Sequence, residues 1–456
     1  MREYLDIFVI RLVGLVIPLI VCFVAPTVGS RNFSSVTICA VIVMYYITYR
    51  LASLAKQNRL DIFLVCNYLF FYVSSGISVI AMELQGIRLK LDWAFPLNNI
   101  FTSLLCSFLS LMVIEIAYLK SCKSSIPNSS NQINIISELY IFKISLISLA
   151  LSSIYFALIP ISSIFNSRAS TAAALNSTFV NDSGQALMGL LIAFTKIAPL
   201  CLGTFVILAR RNRKEHYRIL DIITLLPSLI AINPISSARY VFIMLIITLG
   251  CSFITIKPNR QSELLVYIGV VLAVLVFPNL DFARYENTRF NLLSMTDSLK
   301  QVANKDFDQI PMGALTLETI RTEIAPIGKQ FLGQIGFWVP RSYWLAKPTD
   351  TSILIARDTG LRNSNLSVPL WAEGWASFRH IGILFYPFLL GLLAGRVKRD
   401  SQYSLGKTGM YFFLSGSVFI LQRGPLLQAT GIVSFGLLCF YLLNKFERYK
   451  QGENRI

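Results

Sequence analysis

The sequence predicts an all-α polytopic membrane protein with about twelve transmembrane helices. Hydrophobic residues make up 54% of the 456 residues and charged residues only 14%, whereas soluble domains carry about 25% charged residues. The mean hydropathy is +0.60. The apolar runs are about 15–22 residues long, the length that an α-helix needs to cross the hydrocarbon core. They lack the alternating pattern of a transmembrane β-barrel, so we expect helical spans.

Nine apolar runs precede a long polar segment, and three follow it. The chain therefore divides into transmembrane helices 1 to 9 in residues 1–279, a large loop at 280–378, and helices 10 to 12 with a tail in 379–456. The predicted spans lie at 7–26, 34–51, 61–81, 100–119, 141–161, 187–208, 219–232, 240–256, 264–279, 379–395, 409–422 and 427–443.

The distribution of Lys and Arg predicts the orientation of these spans. With the N-terminus inside, the inward segments hold twenty-one Lys or Arg residues and the short outward loops hold six. Positive residues collect on the cytoplasmic side of membrane proteins. We therefore expect both termini inside and the large loop outside. Because the net charge of +17 is spread over short loops, it does not indicate nucleic acid as a partner.

Four arginines lie close to membrane level on the predicted outward side: Arg168, Arg239, Arg341 and Arg423. A charge at this depth is costly, and it persists mostly where it is paired or meets an anionic ligand. The guanidinium group also matches phosphate oxygens in a bidentate way. These arginines are therefore candidate phosphate ligands, the alternative being side chains that snorkel to lipid headgroups. Lys196 is a cation deep in a predicted span, and we expect it to face the bundle interior.

A possible general base and stacking surfaces lie just before the tenth span. Glu373 stands between Trp371 and Trp375, where it is a candidate base or a helix N-terminal Glu that the helix dipole stabilises. His380 is the reserve candidate for the base, or an interfacial hydrogen-bonding residue. All five tryptophans fall on the outward side, which indicates sugar stacking by Trp371 and Trp375 or packing within the loop.

Several motifs are missing from the sequence. It contains no Walker loop, HExxH, Cys/His cluster or GxSxG motif, so we expect neither a nucleotide nor a zinc cofactor. The eight cysteines all lie outside the large loop, and no disulfide framework is expected there. A reaction on the outward side without nucleotide needs a donor that is already activated, and lipid-diphosphate sugars are the obvious candidates.

The C-terminal half of the chain resembles the Wzy-type oligosaccharide repeat-unit polymerases, which make O-antigen and capsular polysaccharide in bacterial envelopes. The similar features are the twelve-span layout with one large loop before the last three spans, together with the segments SSARYVFIMLIITLG, FWVPRSYWLAKP, LWAEGWASFRHIGILFYPFLLGLLAG and LQRGPLLQATGIVSF. Members of the family often carry E-x-x-x-N-F-G before the tenth span. Here Ser377 and Arg379 stand in place of the Asn and the Gly.

The resemblance implies a GT-C-like glycosyltransferase in the bacterial inner membrane, with its active face and large loop in the periplasm. It implies undecaprenyl-diphosphate-linked oligosaccharides as both donor and acceptor, membrane lipids as surroundings, and a chain-length regulator protein as a further partner. The motif positions that carry over are Arg239, Glu373 and Arg423. Two alternatives remain open, namely an O-antigen ligase of the same superfamily and a polysaccharide or lipid flippase or other transporter.

Overall fold

A computed structural model describes residues 2–25, 33–86, 97–123, 136–159, 164, 182–235, 237–285, 293–302, 307–320, 324–361 and 366–453. The regular structure in these ranges is helical, with no strand. Before the large loop the helices are α1 (Arg2–Val24), α2 (Ser35–Lys56), α3 (Ile62–Gln85), α4 (Leu97–Cys122), α5 (Glu138–Leu158), α6 (Asp182–Arg213), α7 (Ile219–Ala231), α8 (Arg239–Phe253) and α9 (Arg260–Tyr285). From the large loop onward they are α10 (Met295–Val302), α11 (Gln309–Thr319), α12 (Lys329–Ile335), α13 (Thr351–Thr359), α14 (Leu370–Ser401), α15 (Leu405–Arg423) and α16 (Leu426–Glu453).

The helices confirm that the protein belongs to the polytopic membrane class. Within the described ranges, seven helices are long and apolar enough to cross a membrane, and three shorter helices are also apolar. Each of the twelve predicted spans falls largely within one of the observed helices. The number of actual crossings, the GT-C-like architecture and the orientation stay predictions.

Local sequence explains where several of the helices begin. The side chains of Ser34, Asp61 and Ser404 each accept a hydrogen bond from a backbone N–H in the first turn of α2, α3 and α15, respectively. Such caps satisfy N–H groups that have no partner inside the helix. Polar residues in the apolar sequence therefore mark helix starts.

The large loop is not a separate domain but packs on one end of the helix bundle. The Ser78 hydroxyl of α3 donates to the carbonyl of Phe307 at 2.9 Å, and the Ser103 hydroxyl of α4 donates to that of Ile310 at 2.7 Å. Phe307 and Ile310 are buried. Polar side chains of the bundle thus hold the start of α11 against the ends of α3 and α4.

The beginning of α14 differs from the predicted start of the tenth span at residue 379, because the helix begins at Leu370. Residues 370–378 include Glu373, Ser377 and two Trp, and their mixed polarity led to the prediction of a loop. In the structure most of this stretch is buried among the loop helices. A helix that packs against protein needs no uninterrupted apolar run.

Helices α8 and α15 pack antiparallel, so the start of α8 lies at the same end of the bundle as the end of α15. A Cβ built on Gly416 of α15 would lie 2.8 Å from the carbonyl oxygen of Met244 in α8, so the two backbones nearly touch there. At the other end of α8, Arg211 of α6 donates to the carbonyl of Ser252 at 3.0 Å. The basic C-terminus of α6 therefore lies at the end of the bundle opposite to Arg239.

Candidate functional site

Arg239 and Arg423 lie at the same end of two neighbouring helices. Arg239 is the first residue of α8, and Arg423 is the last residue of α15. Tyr240 joins the two ends, since its ring stacks on Phe419 with centroids 6.4 Å apart and lies 5.0 Å from the Arg423 guanidinium carbon. A guanidinium over an aromatic face is attracted by the ring quadrupole. The structure thus brings together two of the predicted phosphate ligands.

The large loop also contacts Arg423. Its Nη2 lies 3.8 Å from Oδ1 of Asp308, and that oxygen also accepts a hydrogen bond of 2.7 Å from Ser367. The backbone N–H of Val368 donates to the carbonyl of Arg423 at 3.0 Å. About a quarter of the Arg423 side chain is exposed. A long, partly exposed ion pair contributes little free energy, so an anionic ligand can compete with Asp308 for the guanidinium.

A third cation, Lys196, approaches the same end of the bundle. Its Nζ donates to the hydroxyl of Ser237 at 2.7 Å, and Ser237 is buried two residues before Arg239. From the sequence this lysine could be placed inside the bundle, but neither its partner nor its nearness to Arg239 could be derived. The only signal was a charged residue within an apolar run.

Glu373 is the centre of a buried hydrogen-bond network. Its Oε1 accepts from the backbone N–H of Leu426 at 3.0 Å, and its Oε2 accepts from Thr351 Oγ1 at 2.8 Å and from Gln334 Nε2 at 3.2 Å. The residue is 1% exposed and makes no ion pair with any other described residue. Since a buried carboxylate needs such donors, the network ties α12, α13 and α16 to the start of α14.

Leu426 relates Glu373 to Arg423. The segment from Arg423 to Leu426 is the turn that connects α15 to α16. Glu373 binds the last residue of this turn, and Arg423 is its first residue. The three positions that the family resemblance singled out therefore lie around one helix end, with Arg239 on the neighbouring helix α8.

A sharp bend in α14 sets the position of Glu373. Phe378 and Arg379 have non-helical backbone angles, and a Cβ built on Gly374 would lie 2.0 Å from the carbonyl oxygen of Gly382. The two parts of α14 therefore touch through glycine backbone on either side of the bend, where a larger residue does not fit.

Arg379 at this bend has φ 54° and ψ −136°, a region that favours glycine. It is the position at which members of the resembling family often carry Gly. The guanidinium group holds the bend by donating to the carbonyls of Ala325 at 2.7 Å and Trp375 at 3.2 Å. These hydrogen bonds offset the cost of the backbone conformation.

His380 and Trp375 lie together next to this bend. The His380 side chain is exposed, and its ring meets the Trp375 ring edge-on with centroids 4.9 Å apart. Trp375 Nε1 donates to the carbonyl of Ile320 at 3.2 Å. Of the two predicted candidates for the base, His380 is therefore the one whose side chain is exposed.

Two of the predicted site residues, Trp371 and Arg341, make their described contacts away from Arg239 and Arg423. Trp371 is 1% exposed, with its ring against Gly313, and has a packing role in this structure. Arg341 donates to the carbonyls of Lys347 at 2.8 Å and Pro348 at 3.0 Å, and so braces its own loop. Arg168 lies outside the described residues.

Comparisons of the chain with known protein families, with curated proteins and with solved structures gave no significant match. The family resemblance therefore depends on the sequence segments quoted above.

Proposed function

We propose that the protein is a membrane glycosyltransferase that polymerises undecaprenyl-diphosphate-linked oligosaccharide repeat units into O-antigen or capsular polysaccharide, at the periplasmic face of the inner membrane. The observation that supports the proposal is the packing of two helix ends: Arg239 begins α8, Arg423 ends α15, and the ring of Tyr240, the residue after Arg239, lies against the Arg423 guanidinium. Arginines fixed at one end of a helical bundle suit a diphosphate group bound at the membrane surface.

The proposed reaction joins two lipid-linked sugars. A hydroxyl oxygen of the incoming unit attacks the anomeric carbon of the growing chain and forms the new glycosidic bond. The bond between that carbon and the diphosphate oxygen breaks, and undecaprenyl diphosphate leaves with the electron pair. Because negative charge develops on the diphosphate, fixed cations aimed at it stabilise the transition state. Arg239 and Arg423 have this role in the proposal.

The attacking hydroxyl must also lose a proton. Glu373 is buried and its carboxylate accepts three hydrogen bonds, so the geometry favours a positioning role, in which it fixes the turn that carries Arg423. A role as base would require the groups that cover its carboxylate to move away. His380 is exposed, unlike the buried Glu373 carboxylate, and it is the proposed proton acceptor.

The proposal is tested in a strain from which the gene is deleted. We expect the strain to attach single repeat units to its lipid A or other carrier, and expression of the wild-type chain to restore long polymer. Loss of every repeat unit would instead favour the ligase alternative. Failure of the lipid-linked unit to reach the outer face would favour the flippase alternative.

A further inference from the structure

One segment of the large loop presents apolar side chains to its surroundings. Leu345 is 90% exposed and Tyr343 is 82% exposed, and four more large apolar side chains of the same segment are more than half exposed. Those four are Ile327, Leu332, Ile335 and Trp338. A contiguous exposed apolar surface of this kind marks contact with a membrane or with another protein.

The inner side of this segment packs against α14 and α16, two helices that are long and apolar enough to span a membrane. The Phe331 ring of α12 lies 6.4 Å from that of Phe385 in α14, and the Phe337 ring lies 6.0 Å from that of Phe435 in α16. Phe385 and Phe435 both belong to candidate membrane spans. Segment 327–345 therefore lies beside spanning helices and not above them.

The neighbouring outward face of α14 is continuous with this surface. Ile381, Leu384 and Phe388 are exposed, Ile381 at 76%, and their spacing places them in one stripe along the helix. On a membrane span such a stripe faces lipid. Since Phe331 touches Phe385 next to this stripe, the apolar side chains of α12 extend the same lipid-facing surface.

The polar groups of the segment also fit a membrane interface. Between residues 324 and 349 the sequence has three cations and no Asp or Glu. Lys347 Nζ donates to the carbonyls of Phe337 and Val339 at 2.8 Å each, and Arg341 satisfies two more carbonyls. Backbone at membrane depth needs this internal satisfaction of its carbonyl groups, and cations at the rim favour lipid phosphates.

We infer that residues 327–345 are inserted into the leaflet that adjoins the Arg239–Arg423 end of the bundle, with phospholipid as the partner of Leu332, Ile335, Trp338, Tyr343 and Leu345. Such interfacial segments bury their apolar face by about 5–10 Å at the boundary between headgroups and acyl chains. The large loop is then anchored in lipid at one edge and does not project freely into the aqueous compartment. This inference does not depend on the proposed reaction.

The test uses fluorescent labels on the full chain in phospholipid vesicles. Leu345→Cys and Tyr343→Cys receive an environment-sensitive thiol label, and Arg357→Cys, an exposed position on α13 of the same loop, is the matched control. Wild-type protein treated in the same way gives the background from the native cysteines. Spin-labelled phosphatidylcholine, with the quencher near the headgroup, is then added to the vesicles.

We expect the labels at 343 and 345 to be quenched roughly two-fold or more above the label at 357, with a blue-shifted emission, because they lie in lipid. Equal quenching at all three positions would overturn the inference. Weak quenching together with disulfide-linked dimers of unlabelled Leu345→Cys would also overturn it and would show that a second copy covers the surface. Unchanged elution of each variant in size-exclusion chromatography shows that it is folded.

Discussion

The backbone N–H of Leu426 donates a 3.0 Å hydrogen bond to the buried carboxylate of Glu373. This contact joins the start of α14 to the turn that follows Arg423, over more than fifty positions of sequence. From the sequence Glu373 is a candidate catalytic base. In the structure its carboxylate binds the turn that begins at Arg423, one of the candidate phosphate ligands.

Glu373→Ala and Glu373→Gln separate a positioning role from a base role. Alanine leaves the N–H of Leu426 without its acceptor, which costs about 1–3 kcal/mol for each donor left unpaired, so we expect lower thermal stability and short or absent polymer. Glutamine keeps an acceptor for Leu426, and we expect near-normal stability with long polymer retained. A folded Glu373→Gln protein that makes no polymer would show that Glu373 acts as the base.

Arg423→Ala should impair the reaction far more than folding. Removal of one fixed donor from a developing oxyanion typically lowers turnover by about 100- to 1,000-fold, and we expect Arg423→Lys to retain part of the activity because the charge stays while the bidentate geometry is lost. The measurement is the length of polymer ladders at equal protein level. Arg357→Ala, at an exposed loop position, is the control and should give wild-type ladders.

Gly374→Ala should destabilise the bend of α14. Its Cβ would lie 2.0 Å from the carbonyl oxygen of Gly382, a backbone atom that cannot rotate away. Overpacking of this kind costs about 1–3 kcal/mol or more. Gly250→Ala is the matched control, since a Cβ there meets nothing within 4 Å. Thermal unfolding in detergent should show a lower midpoint for Gly374→Ala alone, and equal midpoints would contradict the observed bend.

The buried carboxylate of Asp350 gives a pH dependence of stability. Burial raises its pKa above the ordinary Asp value, although hydrogen bonds from Ser352 act in the opposite direction. Protonated Asp350 therefore makes its full contribution to the free energy of unfolding below the unfolded pKa of about 3.9. This contribution is lost as the pH rises through the higher pKa of the folded state. Asp350→Asn keeps an acceptor for Ser352 at the helix start. As the pH increases, the free energy of unfolding of Asp350→Asn should rise relative to that of the wild type, because only the wild type loses stability when Asp350 ionises. A difference between the two proteins that does not change with pH would contradict the raised pKa of Asp350.

The sequence predicted the helical spans, but not the contacts that Arg239 and Arg423 make at the ends of two of these helices. Apolar runs identify helices locally, whereas the approach of Arg423 to Tyr240 depends on the packing of α8 on α15 around Gly416. The partners of Glu373 come from three separate segments, and no local pattern links them. For Lys196 the sequence indicated an interior position, and only the fold supplied Ser237 as its partner.

The packing of Trp371 was another contact that the sequence did not predict. A tryptophan near a membrane boundary is as suitable for packing as for binding sugar, and only the neighbouring Gly313 decides that its ring is enclosed. The start of α14 was misplaced because its first residues are of mixed polarity and yet are mostly buried. Burial by distant segments is a property of the whole fold.

Elongation of lipid-linked oligosaccharide by the purified protein tests the proposed reaction most directly. Oligosaccharide extracted from the deletion strain supplies the matching sugar even where its chemical identity is undetermined. The proposal predicts longer lipid-linked chains, release of undecaprenyl diphosphate with each new linkage, and loss of both in a folded Arg239→Ala/Arg423→Ala double variant. Unchanged chain length with folded wild-type protein, or undiminished elongation by the double variant, would contradict it.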